Sequence, residues 1–163
     1  MRSILTATFV LFVLSWTASA LALPPYLPAF ETAATPSYGR LAVGDFNGDG
    51  AVDFVACSDT IAVYLATDDG FSEQVIVEFP AACRDLAVAD MNGDGALDFV
   101  AGGGNNPRGI RVYRNGGDGT VWTAINGLGS DRTTNLALGD VDGDGDIDAM
   151  GASSNGTWLC VND

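Results

Sequence analysis

The segment Asp45–Asp53 reads DFNGDGAVD, and closely similar segments recur at Asp90–Asp98 (DMNGDGALD) and Asp140–Asp148 (DVDGDGDID). Acidic or amide side chains occupy alternate positions in each segment, and a glycine follows the third of them, where the backbone has to reverse. Oxygen ligands at alternate positions of a tight loop can converge on one hard cation, and Ca²⁺ takes six to eight oxygens. The three segments therefore predict three calcium-binding loops.

The predicted ligands occupy the same five positions of each loop. The first, third, fifth and ninth positions supply side-chain oxygens, and the seventh supplies its backbone carbonyl. These residues are Asp45, Asn47, Asp49, Ala51 and Asp53 in the first loop, Asp90, Asn92, Asp94, Ala96 and Asp98 in the second, and Asp140, Asp142, Asp144, Asp146 and Asp148 in the third.

The flanks of the loops exclude a helix–loop–helix calcium motif. That motif needs a bidentate glutamate at position twelve, and here the position holds Ala56, Ala101 or Gly151. The segments on either side are short and either alternate or run apolar, which is typical of strands. We therefore expect each loop to join the two strands of a hairpin.

The repeat extends beyond the loops, because the second loop begins 45 residues after the first and the third begins a further 50 residues on. Each loop is followed by a third apolar segment, and in the first two units by a fourth. Four short strands per unit of about 45 residues is the spacing of a β-propeller blade. The additional strands are predicted at Ile61–Ala66, Ser72–Phe79, Ile110–Arg114, Thr120–Ile125 and Thr157–Val161.

The loops and their flanks resemble the FG-GAP or VCBS repeat family, whose signature is similar to Gly-Asp-Phe-Asn-Gly-Asp-Gly-x-x-Asp followed by a hydrophobic residue. Gly44–Phe54 matches throughout, Ala89–Phe99 departs at Ala89 and Met91, and Gly139–Ala149 departs more. The resemblance covers roughly residues 38–163. It implies an all-β fold, a β-propeller of four-stranded blades as in the headpiece of integrin alpha chains, with Ca²⁺ between the first and second strands of a blade.

The resemblance also implies that ligands are met on the face opposite the calcium loops. Candidates on that face are the inserted loop of the second unit, within Gly102–Gly109, and the link that leads to the third unit. The alternative is that both are plain solvent loops. The candidate residues are Asn105, Asn106, Arg108, Arg132 and Thr133.

The N-terminal segment indicates secretion. Residues 1–22 combine Arg2, an apolar run from Ile4 to Leu14 and small residues near position 20, which is the pattern of a secretory signal peptide. An uncleaved anchor or a buried helix is the alternative. Residues 23–37 are expected to form a linker and a closing strand at Leu27–Ala33, and no later stretch is apolar enough to span a membrane.

The composition bounds the function. The chain carries 21 acidic and seven basic residues and no histidine, for a formal charge of −14, so nucleic acid is not expected as a partner. Without histidine there is no histidine-based triad and no histidine-ligated metal site. We therefore expect a binding protein rather than an enzyme, with carboxylate-only chemistry on polysaccharides as a less favoured alternative.

Three cysteines lie in a chain expected to be extracellular. In a four-stranded blade the end of the second strand and the link to the next blade lie on the same face. Cys57 and Cys83 could therefore meet and form a disulfide, although the sequence does not fix the pairing. Cys160 takes the place of Tyr64 and Tyr113 of the other units, and we expect it to be a small packed residue.

Three repeats are fewer than the four to eight blades of a usual propeller. The sequence is therefore compatible with a partial propeller, with a fragment of a longer protein, or with a ring completed by a homo-oligomer. The expected function is a secreted calcium-binding module for adhesion, with an extracellular protein or carbohydrate ligand. The alternative is a structural spacer or a truncated fragment without its own ligand.

Overall fold

The computed structural model describes residues 39–58, 60–78, 83–103, 109–128 and 132–163. The predicted signal peptide, the linker with its closing strand, and Asn105, Asn106 and Arg108 all lie outside these residues. Within them, eleven strands form three antiparallel sheets, and no helix occurs. No helical segment of the described part therefore has the length and hydrophobicity needed to cross a bilayer. The all-β fold predicted from the sequence is confirmed.

The strands of each sheet follow one another in chain order, so every sheet is a meander. We call the sheets blades 1, 2 and 3. Blade 1 contains β1 (Arg40–Gly44), β2 (Asp53–Cys57), β3 (Thr60–Thr67) and β4 (Gly70–Glu78), blade 2 contains β5 (Cys83–Ala89), β6 (Asp98–Gly103), β7 (Ile110–Asn115) and β8 (Trp122–Leu128), and blade 3 contains β9 (Asn135–Gly139), β10 (Asp148–Ser153) and β11 (Gly156–Cys160).

The first strands of successive blades lie side by side, β1 beside β5 and β5 beside β9. Because side chains alternate across a strand, each blade has two faces. The forward face looks toward the following blade and holds Val55 and Val63 in blade 1, which pack with residues of blade 2. The rear face looks toward the preceding blade and holds Phe99 and Tyr113 in blade 2. Apolar cores lie at both junctions between blades, and a third, smaller cluster on the rear face of blade 1 contains Ala56, Ala62 and Tyr64.

Aromatic residues fill the junction between blades 1 and 2. Phe99 and Tyr113 stack with their ring centroids 4.7 Å apart, and Trp122 packs 4.8 Å from Phe99. In blade 3 the equivalent pair is Ala149 and Cys160, which lie opposite each other in the register. These small side chains leave a cavity of about 230 Å³ between blades 2 and 3, lined by Met91, Val112, Leu128, Ala149 and Cys160 among others.

A disulfide joins Cys57, at the end of β2, to Cys83, at the start of β5, with a Cα–Cα distance of 5.8 Å. The structure thus brings together the two cysteines that the strand order places on one face. The bond connects blades 1 and 2 at the edge opposite the β1–β2 loop. Cys160 is half-buried, carries no disulfide and lines the cavity between blades 2 and 3.

Candidate metal centre

The three predicted calcium loops are the connections β1–β2, β5–β6 and β9–β10. The fourth and sixth residues of every loop are glycines with φ between 69° and 101°. L-residues with a Cβ rarely adopt such conformations, so each loop needs both glycines. From the sequence pattern we expected the backbone reversal only at the sixth residue and not at the fourth.

The first aspartate of each loop organises the turn. Asp45 accepts hydrogen bonds from the N–H of Gly48 at Oδ1 (2.8 Å) and from the N–H of Gly50 at Oδ2 (2.9 Å). Asp140 accepts the equivalent bonds from Gly143 (2.6 Å) and Gly145 (3.1 Å). The loop backbone thus wraps around this carboxylate and fixes the position of its oxygens.

The side chains at the third and fifth positions of a loop lie side by side. In the first loop the Asn47 amide donates to Oδ2 of Asp49 (2.8 Å), and the N–H of Ala51 donates to Oδ1 of Asp49 (2.7 Å). The N–H bond and the amide bond together lower the pKa of Asp49. The same two kinds of bond lower the pKa of Asp94 in the second loop, so both carboxylates are held in the ionised form that binds a cation.

The third loop places more negative charge together than the other two. Its third position is Asp142 instead of asparagine, and desolvation followed by the charges of Asp144, Asp148 and Asp140 raises the pKa of Asp142. Ligand oxygens of Asp140, Asp142 and Asp148 lie within 4.8 Å of one another. A cation among these oxygens would relieve the repulsion between them.

A second group of carboxylates in blade 3 includes a residue that was not among the predicted ligands. Ligand oxygens of Asp142, Asp144 and Asp163 also lie within 4.8 Å of one another. Asp163 lies outside the nine-residue pattern, so the spacing alone gave no signal for it.

The aspartate at the ninth position of each loop has a structural role in addition to its predicted role as a metal ligand. Asp53, Asp98 and Asp148 are fully buried. One oxygen of each accepts the N–H of the second loop residue, and the other accepts an N–H at or just beyond the end of the third strand of the blade. The donors are Phe46 (2.8 Å) and Ala66 (2.7 Å) for Asp53, Met91 (3.0 Å) and Asn115 (2.8 Å) for Asp98, and Val141 (2.8 Å) and Asn162 (2.8 Å) for Asp148.

Burial and hydrogen bonding shift the pKa of these buried acids in opposite directions. For Asp98, desolvation outweighs the two N–H bonds and the pKa is raised. For Asp148, the bonds from Asn162 and Val141 dominate and the pKa is lowered. Each acid therefore holds the metal loop against the end of the third strand, whether or not a cation is bound.

Two asparagines connect the loops of neighbouring blades. The Asn115 amide donates to the carbonyl of Phe46 in the first loop (2.7 Å) and to that of Leu97 (3.1 Å). The Asn162 amide donates in the same way to the carbonyl of Met91 in the second loop (2.8 Å). The backbone N–H groups of the same two asparagines bond the ninth aspartate of their own blade, Asn115 to Asp98 and Asn162 to Asp148. A hydrogen-bonded path therefore runs through all three loops.

The family model for the FG-GAP-like repeat matches residues 45–101 and 90–150. Together these residues are more than half of the chain. The chain belongs to the FG-GAP-like repeat family. No curated protein sequence is significantly similar to this FG-GAP-like chain.

A solved structure of a lectin from Agrocybe aegerita is similar to this FG-GAP-like chain, with a TM-score of 0.54 and 26% sequence identity. The likeness covers 76% of this chain and 34% of the lectin chain. The chain thus spans about a third of the length of that protein. The lectin specifically recognises non-reducing terminal N-acetylglucosamine.

The structure places Arg132 and Thr133, two of the candidate ligand-binding residues, in different environments. Arg132 is exposed on the link to blade 3. Thr133 is fully buried, and its methyl group lies 3.0 Å from where a Cβ on Gly102 would be placed. Thr133 is therefore part of the packing between blades and does not face solvent. A ligand-binding role for Arg132, and the carbonyl contributions of Ala51, Ala96 and Asp146 to metal binding, stay predictions.

Proposed function

We propose that this chain is a secreted β-propeller module in which Ca²⁺ stabilises the blades and the opposite edge recognises an extracellular carbohydrate or protein. The observation that carries the proposal is the convergence of Asp140, Asp142 and Asp148 oxygens within 4.8 Å, in a loop that the chain repeats three times.

Calcium is favoured over other cations by the donor set. Every candidate ligand is a carboxylate, amide or carbonyl oxygen, and the chain has no histidine. Zinc and copper sites use imidazole or thiolate ligands, whereas oxygen-only sites suit Ca²⁺ and Mg²⁺. Ca²⁺ tolerates the irregular geometry of a loop better than Mg²⁺, which requires a near-ideal octahedron. When bound, the ion would screen the carboxylates of the loop from one another.

An extracellular location is supported by the disulfide between Cys57 and Cys83, because disulfides persist in oxidising compartments. At the extracellular calcium level, which is near the affinity of about 10⁻⁴–10⁻³ M of such modules, each ion would contribute about 0.5–1.5 kcal/mol to stability.

Recognition is proposed to use the edge opposite the metal loops. The likeness to a lectin supports a carbohydrate as the ligand. That edge carries the end of β6, the start of β7 and Arg132. The loop acids are held by hydrogen bonds within the loops and from the end of β3, which supports binding rather than catalysis as the role of this domain.

A glycan and matrix-protein array tests the proposal, run with calcium and again with a chelator. The array includes glycans that end in N-acetylglucosamine. We expect calcium-dependent binding that is lost in Arg108→Ala or Arg132→Ala. Asp69→Ala, in the exposed β3–β4 turn at the other edge, is the control and should bind normally. Absence of binding to every glycan and protein would contradict recognition and favour a structural spacer.

A further inference from the structure

The turn between β10 and β11 carries a motif that neither the metal loops nor the proposed recognition uses. Asn155, Gly156 and Thr157 have the pattern Asn-x-Thr, which is the acceptor motif for N-linked glycosylation of secreted proteins when x is not proline. None of the seven asparagines that precede Asn155 has serine or threonine two residues after it. We propose that Asn155 carries an N-linked oligosaccharide. The proposal rests on the secretory route of the proposed function, but not on calcium binding or recognition.

The position of Asn155 in the hairpin leaves room for a bulky modification. Ser153 and Gly156 are the last paired residues of β10 and β11, so Ser154 and Asn155 form a two-residue turn beyond the paired strands. Both turn residues are exposed. A Cβ placed on Gly156 would have no heavy atom within 4 Å other than those of its chain neighbours. The turn is thus at the edge of blade 3 and not on a face through which blades pack, and a glycan there would lie in solvent.

The backbone of the turn tolerates a change at the Asn155 side chain. The Ser153 hydroxyl accepts the backbone N–H of Asn155 (3.1 Å) and donates to the carbonyl of Gly156 (3.3 Å). Gly156 has a φ of 140°, which residues with a Cβ rarely adopt, so glycine suits both the turn and the middle position of the motif. Because these bonds use the backbone of Asn155, substitution of its side-chain amide would not break them.

Thr157 departs from the apolar pattern of the other two blades. Ile61, Ile110 and Thr157 occupy equivalent register positions in the third strands of blades 1, 2 and 3. Both isoleucines are fully buried, whereas blade 3 has a hydroxyl residue, as the glycosylation motif requires at this position. The transfer takes place while the chain enters the secretory route and before it folds. Thr157 therefore has to be accessible only in the unfolded chain.

The transfer is a substitution at a sugar carbon, and its donor is an oligosaccharide joined through a diphosphate to a membrane lipid. The Nδ2 atom of Asn155 forms a bond to the anomeric carbon of the first sugar, and the bond from that carbon to the phosphate oxygen breaks. The lipid diphosphate leaves with the electron pair, and Nδ2 loses one proton to a base of the transferase. Nothing is oxidised or reduced, and Thr157 is recognised but not altered.

The glycan would stand on the edge opposite the metal loops. The third loop precedes β10, and the turn with Asn155 follows it, so the two lie at opposite ends of that strand. Thr134 donates its N–H (2.8 Å) and its hydroxyl (2.9 Å) to the carbonyl of Ala152 near the end of β10. The link that contains Arg132 therefore runs beside the turn. A glycan at Asn155 would share the edge proposed for recognition and should leave calcium binding unchanged.

The test is expression in a eukaryotic cell, with a leader of that host in place of residues 1–22, so that the chain enters the secretory route whatever its own N-terminal segment does. The mass of the secreted protein is measured before and after treatment with a peptide N-glycosidase, which removes the glycan and converts the asparagine that carried it to aspartate. We expect the mass to fall, and peptide mapping to place the conversion at Asn155.

Four variants assign the glycan to the motif. Asn155→Gln and Thr157→Ala should abolish the loss of mass, whereas Thr157→Ser should retain it because serine also satisfies the motif. Asn135→Gln is the matched control, since Asn135 is exposed but has alanine two residues after it, and this variant should keep the glycan. A secreted protein whose mass the enzyme leaves unchanged, or a glycan that persists in Asn155→Gln, would overturn the proposal. Calcium titration and the glycan array are separate measurements, so failure of the proposed function would not alter the mass result.

Discussion

At the residue scale, the acids of one loop differ in role: the buried acid at the ninth position supports the fold, whereas the exposed acids are predicted only to bind the metal. Asp98 is fully buried and accepts the N–H groups of Met91 and Asn115. Asp94, four residues earlier, is exposed and lies on the loop beside Asn92. The two acids belong to one predicted calcium site, yet only Asp98 connects the loop to the end of β7.

Asp98→Asn should therefore destabilise the protein even in a chelator. The new amide N–H₂ group cannot accept one of the two buried N–H bonds, which costs about 1–3 kcal/mol. Urea unfolding in the presence of a chelator measures the change. The matched control is Asp94→Asn, which should leave that stability within about 0.5 kcal/mol but weaken the response to calcium. Equal loss of stability in both variants would contradict the structural role of Asp98.

At the element scale, the blades are joined by a few side chains that reach across each junction. Asn115 is 4% exposed, and its amide spans two loop carbonyls while its Oδ1 accepts the N–H groups of Gly117 (3.0 Å) and Gly119 (3.1 Å). Asn162 has a single amide bond to the preceding blade. Each asparagine thus donates one bond across its junction, and Asn115 in addition holds the turn that follows β7.

Asn115→Ala should lower the free energy of unfolding by about 2–4 kcal/mol, because it leaves buried carbonyl and N–H groups without partners. Asn162→Ala should cost less. Asp68→Ala, on the exposed turn between β3 and β4, serves as the surface control and should be close to neutral. The experiment is chemical unfolding followed by tryptophan fluorescence. A neutral Asn115→Ala would show that the amide bonds do not hold the junction.

The disulfide between β2 and β5 gives a second prediction at this scale. It closes a loop with a sequence separation of 26 residues, which on the chain-entropy model stabilises the fold by about 3–4 kcal/mol. A double variant, Cys57→Ala with Cys83→Ala, should lose about that amount and melt at a lower temperature. Cys160→Ala is the control, because Cys160 is not in a disulfide. A double variant that melts like the unaltered protein would contradict the role of the bond.

At the scale of the whole molecule, the repeat explains why much of the fold could be predicted from the sequence. The aspartate pattern fixes where each hairpin turns, and the apolar segments around it fix strand position, so a predicted strand such as Ile61–Ala66 is confirmed within β3. The Cys57–Cys83 pairing followed from the order of strands in a blade.

The contacts between blades could not be predicted in the same way. Asn115 and Phe46 are 69 residues apart in the chain, and no local spacing relates them. Thr133 was expected on a surface, but the close approach of Gly102 buries it. Both features arise from packing between repeats, which depends on three-dimensional neighbours that a period in the sequence does not specify.

Calcium binding by three oxygen-lined loops is the central claim, and isothermal titration calorimetry of the calcium-free secreted protein tests it most directly. We predict binding of about three ions per chain with dissociation constants near 10⁻⁴–10⁻³ M. The melting temperature should rise over the same calcium range. A titration without heat, together with a melting temperature that calcium and chelator leave unchanged, would contradict the claim.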